Sequence, residues 1–183
     1  MISASGGGRE SVISGVAAGL RRAEVSFCRV SHNGCECFLR GRRGVGSAID
    51  DAGDAYGGEM PVLLASADRI PFLRGFDEAV IVLCGGVSEP AEFDGRAYVV
   101  TDGEREVPAG LKRFPLISCG MSAKDTVTFS SLRRDGGMIC LQRQITTFSG
   151  RIAEPQEYHF ERFGSEAFPT LAAFTVLLLC DCV

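Results

Sequence analysis

Three cysteines and one histidine lie within a stretch of ten residues near the start of the chain, as Cys28, His32, Cys35 and Cys37. Thiolate and imidazole groups are ligands that zinc prefers, so this group is a candidate metal site. The spacing is not that of a common zinc finger or ribbon, and successive side chains of a strand point to opposite faces. The alternative interpretation is a set of buried thiols with a histidine in a turn.

Cys119 is a candidate nucleophile because it stands at the end of an apolar segment, directly before a glycine. A cysteine nucleophile needs a base nearby. The sequence contains two histidines, of which His159 could act as that base, and Asp102 is a further candidate catalytic residue. The alternative is a packed core cysteine and an exposed strand histidine.

Glycines and polar residues follow three successive apolar segments, which end at Cys84, Asp102 and Cys119. Parallel strands end at the same edge of a sheet, and ligands of open α/β sheets bind outside that edge. These positions therefore predict the rim of a pocket. The predicted ligand-binding residues are Gly85, Gly86, Asp102, Gly103, Gly120, Ser122, Lys124 and Asp125.

The hydrophobic pattern predicts an α/β fold. Continuous apolar runs bounded by glycine are typical of parallel strands buried on both faces, and the alternating pattern after residue 125 is typical of antiparallel hairpins. Helical spacing predicts helices over residues 10–23 and 171–179. Strands are predicted over residues 24–30, 35–40, 61–67, 79–84, 96–101, 115–119, 126–132, 138–143, 145–148 and 157–163. Residues 126–132 are expected to form one hairpin with residues 138–143, and residues 145–148 a second hairpin with residues 157–163.

We expect a mostly parallel three-layer sheet, followed by antiparallel hairpins and a C-terminal helix. The Gly/Ser-rich residues 1–8 are expected to be disordered, and residues 9–183 to form a single α/β domain. The domain would consist of a helix plus a β-hairpin at 9–59, a parallel βαβ part at 60–122, and antiparallel hairpins with the closing helix at 123–183.

Composition narrows the function classes. The chain has 183 residues, a net charge of -4, 45% hydrophobic and 23% charged residues, which is typical of a soluble globular protein. Residues 50–110 contain thirteen acidic residues against four arginines, and this argues against a nucleic-acid groove there. We find no signal peptide and no membrane span, so the eight cysteines indicate a reducing compartment. A cytoplasmic protein that binds neither nucleic acid nor membrane is expected, and its oligomeric state stays open.

Four segments follow one another in the second half of the sequence: Tyr98-Val-Val-Thr-Asp102, Ile117-Ser-Cys-Gly120, Ala123-Lys-Asp125 and Leu171-Ala-Ala-Phe174. In this order they resemble two strand-end turns, the loop that follows them and a later helix in the second half of the central domain of the Mur ligases, the ATP-dependent amide-forming enzymes of peptidoglycan synthesis. The resemblance covers residues 76–179 and implies a bacterial, Mur-ligase-like α/β module.

The ATP-binding loop of that family is missing from the sequence. Neither of the two lysines, Lys112 and Lys124, follows a glycine, as the Gly-Lys-Thr/Ser loop requires. Phosphoryl transfer needs a lysine and magnesium to neutralise charge, so ligase activity does not carry over. We expect a non-catalytic module that binds a small ligand or a protein partner at its strand-end loops, without a cofactor. A small cysteine-dependent enzyme near Cys119 and a zinc-stabilised interaction domain are the alternatives.

Overall fold

The computed structural model describes residues 2–5, 8–31, 34–38, 62–66, 77–85, 95–133, 136–161 and 166–183. Two predicted site residues, His32 and Gly86, lie outside these ranges. The described residues contain two α-helices, α1 (Arg9–Arg22) and α2 (Ala167–Leu179), and a short 3-10 helix, Ala109–Leu111. Their strands are β1 (Ile2–Ser5), β2 (Phe27–Ser31), β3 (Gly34–Phe38), β4 (Val62–Ser66), β5 (Glu78–Leu83), β6 (Arg96–Asp102), β7 (Leu116–Cys119), β8 (Val127–Leu132), β9 (Gly136–Leu141), β10 (Ile145–Thr146), β11 (Ile152–Ala153) and β12 (Gln156–Glu161).

Ten of the described strands form one sheet in the order β12-β9-β8-β7-β6-β5-β1-β4-β2-β3. The pairings from β8 across to β2 are parallel, and the pairings that add β3, β9 and β12 are antiparallel. The predicted fold class is therefore confirmed: an α/β protein with a mostly parallel sheet, followed by antiparallel strands and a C-terminal helix.

The strand β1 lies in the middle of the sheet, where a disordered terminus was expected. Ile2 is in register with Leu64 of β4 on one side and with Val80 of β5 on the other. The prediction of disorder is wrong for residues 2–5, because backbone hydrogen bonds from two parallel neighbours hold a segment that has too few large apolar side chains to be recognised alone.

The second predicted antiparallel hairpin is also paired differently. Ile145 of β10 is in register with Ala153 of β11, so these two short strands form a small sheet of their own. The strand β12 pairs instead with β9, from Gln156 opposite Leu141 onwards. The predicted pairing of residues 145–148 with residues 157–163 is therefore wrong, although a strand is present in each segment.

Two hydrophobic clusters cover the two faces of the sheet. On one face, both helices pack on residues such as Val82 and Val100. On the other face, the alternate residues Ile81 and Val99 pack under the segment that contains Leu111 of the 3-10 helix. We call these the helix face and the opposite face; with the sheet between them, they account for the predicted three layers.

The helix α2 is apolar around its whole circumference, because α1 and the sheet bury it together. Every residue from Pro169 to Leu179 is buried. Its contact with α1 is close at Gly19, where an added Cβ would stand 2.2 Å from Leu177 Cδ1. None of the helices in the described part of the chain is long and apolar enough to cross a membrane.

Candidate ligand-binding site

The sheet order itself defines a crevice. After β1 the chain continues to the β2–β4 side of the sheet, and after β5 it continues to the β6–β7 side. Between two adjacent parallel strands whose connections leave in opposite directions, a gap opens outside their carboxyl ends, and ligands of open α/β sheets bind there. The carboxyl ends of β1 and β5 are therefore the topological location for a site.

The predicted strand-end residues do come together at this edge. Leu83 of β5 is in register with Thr101 of β6, and Asp102 of β6 with Cys119 of β7. Gly85, Gly103 and Gly120, which follow these three strands, consequently lie along one edge of the sheet.

A buried carboxylate fills the space between two of these glycines. Asp125 is only 5% exposed, and its oxygens lie 1.7 Å and 2.4 Å from where Cβ atoms would stand on Gly103 and Gly120. Its Oδ2 accepts a hydrogen bond from the Ser122 backbone N–H at 3.0 Å. Glycine is required at both positions because a side chain would displace the carboxylate.

Further hydrogen bonds fix the loop from residue 120 to residue 126. The Thr126 backbone N–H donates to the Ser118 hydroxyl at 3.0 Å, and the Lys124 N–H donates to the Ser122 hydroxyl at 3.2 Å. Arg143 donates to the Lys124 carbonyl at 2.6 Å. These contacts make the loop a well-packed structural turn, and its main polar groups are already engaged within the chain.

Open space lies at the carboxyl ends of β5 and β6, outside the turn of residues 120–126. A cleft of about 410 Å³ is formed there, a volume within the range of small-molecule sites. It lies on the opposite face, because its lining includes Leu83 and Val107 of the cluster on that side. The lining consists of Leu83, Gly85, Arg105, Glu106, Val107, Pro108, Ala109 and Lys112.

The charge of the cleft comes from two cations and one acid, Arg105, Lys112 and Glu106. All three are exposed residues, and within the described part of the chain neither cation forms a salt bridge. The guanidinium group offers five N–H donors and the ammonium group three. The cleft thus combines an apolar wall with a positively charged, hydrogen-bond-donating side.

Of the predicted ligand-binding residues that the structure describes, only Gly85 lines this cleft. Asp102, Gly103, Gly120, Ser122, Lys124 and Asp125 belong to the neighbouring strand ends and the packed turn. Sequence reasoning missed Arg105 and Lys112. A signal was present, because Lys112 is one of two lysines in the chain and Arg105 one of four arginines in the acidic middle segment.

Cys119 does not have the environment of a nucleophile. It is completely buried and shares a 3.3 Å hydrogen bond with the Thr175 hydroxyl of α2. Burial raises the pKa of Cys119 to about 12; the hydrogen bond with Thr175 opposes the rise, and the negative charges of Asp125 and Asp102 add to it. At neutral pH the group is therefore a thiol and not the reactive thiolate.

His159 cannot serve as the base for Cys119. On β12, its neighbours Tyr158 and Phe160 pack into the helix-face cluster, as Cys119 does. Since successive side chains of a strand alternate, the exposed His159 points away from that face. The predicted Cys119–His159 pair is wrong, because the sheet itself separates the two side chains.

Asp102 contributes to the turn and not to a catalytic pair. Its Oδ1 accepts a hydrogen bond from the Glu104 backbone N–H at 3.2 Å, which is the Asx-turn contact that begins a loop after a strand. The negative charge of Asp102 disfavours ionisation of the Cys119 thiol and so adds to the rise of its pKa.

An acidic side chain lies beside the N-terminus of α1, on the helix-face side of the sheet. Gly8, with a φ of 80°, precedes the first helical residue, and a Cβ on it would lie 3.3 Å from both Glu166 Oε2 and Pro169 Cγ. The carboxylate of Glu166 thus lies close to the end of α1 where an anion would otherwise bind.

Among the residues whose side chains the structure describes, no group of three histidine, cysteine or acidic residues is placed to hold a metal ion. The candidates Cys28, Cys35 and Cys37 are described by their backbone positions in β2 and β3, and His32 lies outside the described residues.

Comparison with protein-family models and with curated protein sequences gives no match for this chain.

Proposed function

We propose that this chain is a non-catalytic, Mur-ligase-like α/β module that binds a small anionic ligand in the cleft at the carboxyl ends of β5 and β6. The observation that carries the proposal is the pair of cations, Arg105 and Lys112, lining a cleft of about 410 Å³ beside the topological crevice.

The lining indicates the chemistry of the ligand. Arg105 can bind a carboxylate or a phosphate through two parallel hydrogen bonds, and Lys112 adds a second positive charge. Leu83 and Val107 supply an apolar wall. A ligand with one or two acidic groups on a compact apolar body matches both parts, and Glu106 would disfavour ligands with negative charge on every side.

The order of elements supports the relationship to the Mur ligase central domain. The strand β6 ends at Asp102 and β7 directly before Gly120; the loop with Asp125 follows, then antiparallel strands and the helix α2. This is the order that the resemblance implies for residues 76–179. The buried, protonated thiol of Cys119 supports the non-catalytic part of the proposal.

A cytoplasmic location is part of the proposal. Each of the five cysteines whose side chains the structure describes is a free thiol, and free thiols persist in reducing compartments. The acidic middle segment supports a ligand other than a nucleic acid.

The proposal is tested with thermal unfolding in the presence of inorganic phosphate, pyrophosphate, malonate and citrate. A ligand that binds only the folded state stabilises it by about 2.7 kcal/mol at one hundred times its dissociation constant. We expect at least one of these anions to raise the Tm of the wild-type chain, and Arg105→Glu combined with Lys112→Glu to abolish the effect.

Lys124→Glu is the matched control, because it makes the same kind of charge change at the neighbouring strand end, outside the cleft. It should leave the response to anions unchanged. The proposal fails if none of the anions raises the Tm, if the response survives in the double variant, or if Lys124→Glu abolishes it equally.

A further inference from the structure

The backbone register of β2 and β3 places three cysteines on one face of the sheet. Cys28 is directly opposite Cys37, and Val30 is directly opposite Cys35. Directly opposed residues of antiparallel strands share a face, and so do residues two positions apart on one strand. Cys28, Cys35 and Cys37 are therefore on the same face, which removes the objection that alternation separates them.

This face is the one turned away from the helices. Phe27, the neighbour of Cys28, is buried in the helix-face cluster, and Arg29, its other neighbour, forms a 2.7 Å ion pair with Glu10 of α1. The cysteine positions alternate with these two residues and so belong to the opposite face, on the last two strands at one end of the sheet.

We propose that Cys28, Cys35 and Cys37 form a zinc-binding site on this hairpin. Three thiols on one face are a soft ligand set, which selects Zn²⁺ over Mg²⁺ or Ca²⁺. Each ligand is bound as the thiolate, so zinc displaces one proton per thiol to the solvent and no redox step is involved.

The spacing of opposed strand residues accommodates a metal ion. Cβ atoms of directly opposed residues are roughly 4.5–5.5 Å apart. Two sulfurs on one zinc ion, each with a bond of about 2.3 Å, can be supplied across that spacing by positions 28 and 37. Cys35, diagonal to Cys28, extends the group to three ligands.

The experiment uses the full chain without an affinity tag, purified with a thiol reductant, and measures zinc by element-specific mass spectrometry. We expect about one zinc ion per chain. Combined replacement Cys28→Ser, Cys35→Ser and Cys37→Ser should lower the zinc content roughly tenfold or more. Cys140→Ser is the matched control, because it removes a partly exposed cysteine of β9 elsewhere in the sheet and should leave the zinc content unchanged.

A second measurement does not depend on the variants folding. Cobalt(II) added to the wild-type chain should give the intense absorption of thiolate-to-metal charge transfer, and added zinc should displace it. The proposal is overturned if wild-type chain neither contains zinc nor binds added cobalt, if the triple variant keeps its zinc, or if Cys28 and Cys37 form a disulfide that persists in the presence of the reductant.

Discussion

Replacing Gly103 with alanine tests whether the buried carboxylate of Asp125 organises the strand-end turn. The new Cβ would stand 1.7 Å from Asp125 Oδ1, whereas side-chain Cβ atoms essentially never approach another heavy atom within 3.0 Å. The carboxylate would have to withdraw by more than 1 Å. It also lies against Gly120, so it cannot simply shift along the loop.

The cost can be estimated from two contributions. Overpacking of a well-filled site costs about 1–3 kcal/mol, and weakening the hydrogen bond from the Ser122 N–H to the carboxylate costs up to about 1.5–3 kcal/mol. A shift of the carboxylate relieves the overpacking but weakens the hydrogen bond, so the two costs do not both apply in full. We therefore expect a total loss of stability of about 2–3 kcal/mol. For a chain of this length, that is a fall in Tm of roughly 4–12 °C.

Urea unfolding of four proteins, followed by circular dichroism, measures the effect as a double-mutant cycle: wild type, Gly103→Ala, Asp125→Ala and the two changes together. With the carboxylate removed, Gly103→Ala should cost less than about 0.5 kcal/mol. It could even stabilise slightly by restricting the unfolded chain. The reasoning would be refuted if the Gly103→Ala variant were as stable as the wild type, or if Gly103→Ala lowered the free energy of unfolding equally with and without the Asp125 side chain.

Three further predictions concern packing and titration elsewhere. Gly19→Ala should destabilise the chain by about 1–3 kcal/mol, since its Cβ would stand 2.2 Å from Leu177 Cδ1. In a Leu177→Ala background the same change should stabilise the chain by about 0.5–1 kcal/mol through helix propensity. Urea unfolding measures both, and an equal effect of Gly19→Ala in the two backgrounds would contradict the prediction. Burial raises the pKa of Cys119 from 9.0 to about 12, so above pH 9 the unfolded chain loses a proton that the folded chain keeps. The contribution of Cys119 to the free energy of unfolding should therefore fall by up to about 1.4 kcal/mol per pH unit between pH 9 and 12. Burial also raises the pKa of Cys180 to about 12, so Cys119→Ala should make the total slope shallower without abolishing it; an unchanged slope would count against the prediction. Burial opposes ionisation of Asp181, but hydrogen bonds from two neighbouring hydroxyl groups and from Arg151 outweigh it and lower the pKa of Asp181 below its usual 3.8. The stability lost in Arg151→Ala, about 0.5–1 kcal/mol at neutral pH, should therefore shrink as the pH falls below 3.8, and a loss independent of pH in the same unfolding assay would show that the ion pair is not its cause.

The elements that sequence reasoning located correctly have a strong local pattern. The strands β5 and β6 are continuous apolar runs because both of their faces are covered. The segments predicted as strands over residues 24–30 and 35–40 contain most of β2 and β3, which pair antiparallel as the β-hairpin predicted within residues 9–59 requires. In each case the information lies within about ten neighbouring residues, where periodicity and turn chemistry operate.

The elements that were missed depend on distant parts of the chain. Four residues of β1 become a strand because β4 and β5, about sixty and eighty residues later, supply partners on both sides. The strand β12 pairs with β9 and not with β10, although β10 is nearer to it in the sequence. Pairing partners of this kind are set by tertiary packing, which local pattern does not encode.

The sequence predicted the edge of the sheet at which the candidate site lies, but it did not predict the cleft or the residues that line it. Parallel strand ends placed Gly85, Gly103 and Gly120 together, as the sheet shows. The cleft arises from the return of residues 103–115 over the opposite face, anchored by Leu111. That return brings Arg105 and Lys112 into the same cleft as Gly85. The spacing of these residues in the sequence does not predict this arrangement. Register, likewise, groups Cys28, Cys35 and Cys37, which alternation alone had seemed to separate.

Charge and topology together place the proposed anion site on the opposite face. The N-terminus of α1, at the crevice, carries a partial positive charge that would attract an anion, but the carboxylate of Glu166 already lies beside Gly8. An incoming anion therefore meets a negative group beside the N-terminus of α1, whereas Arg105 and Lys112 line the cleft on the opposite face of the sheet.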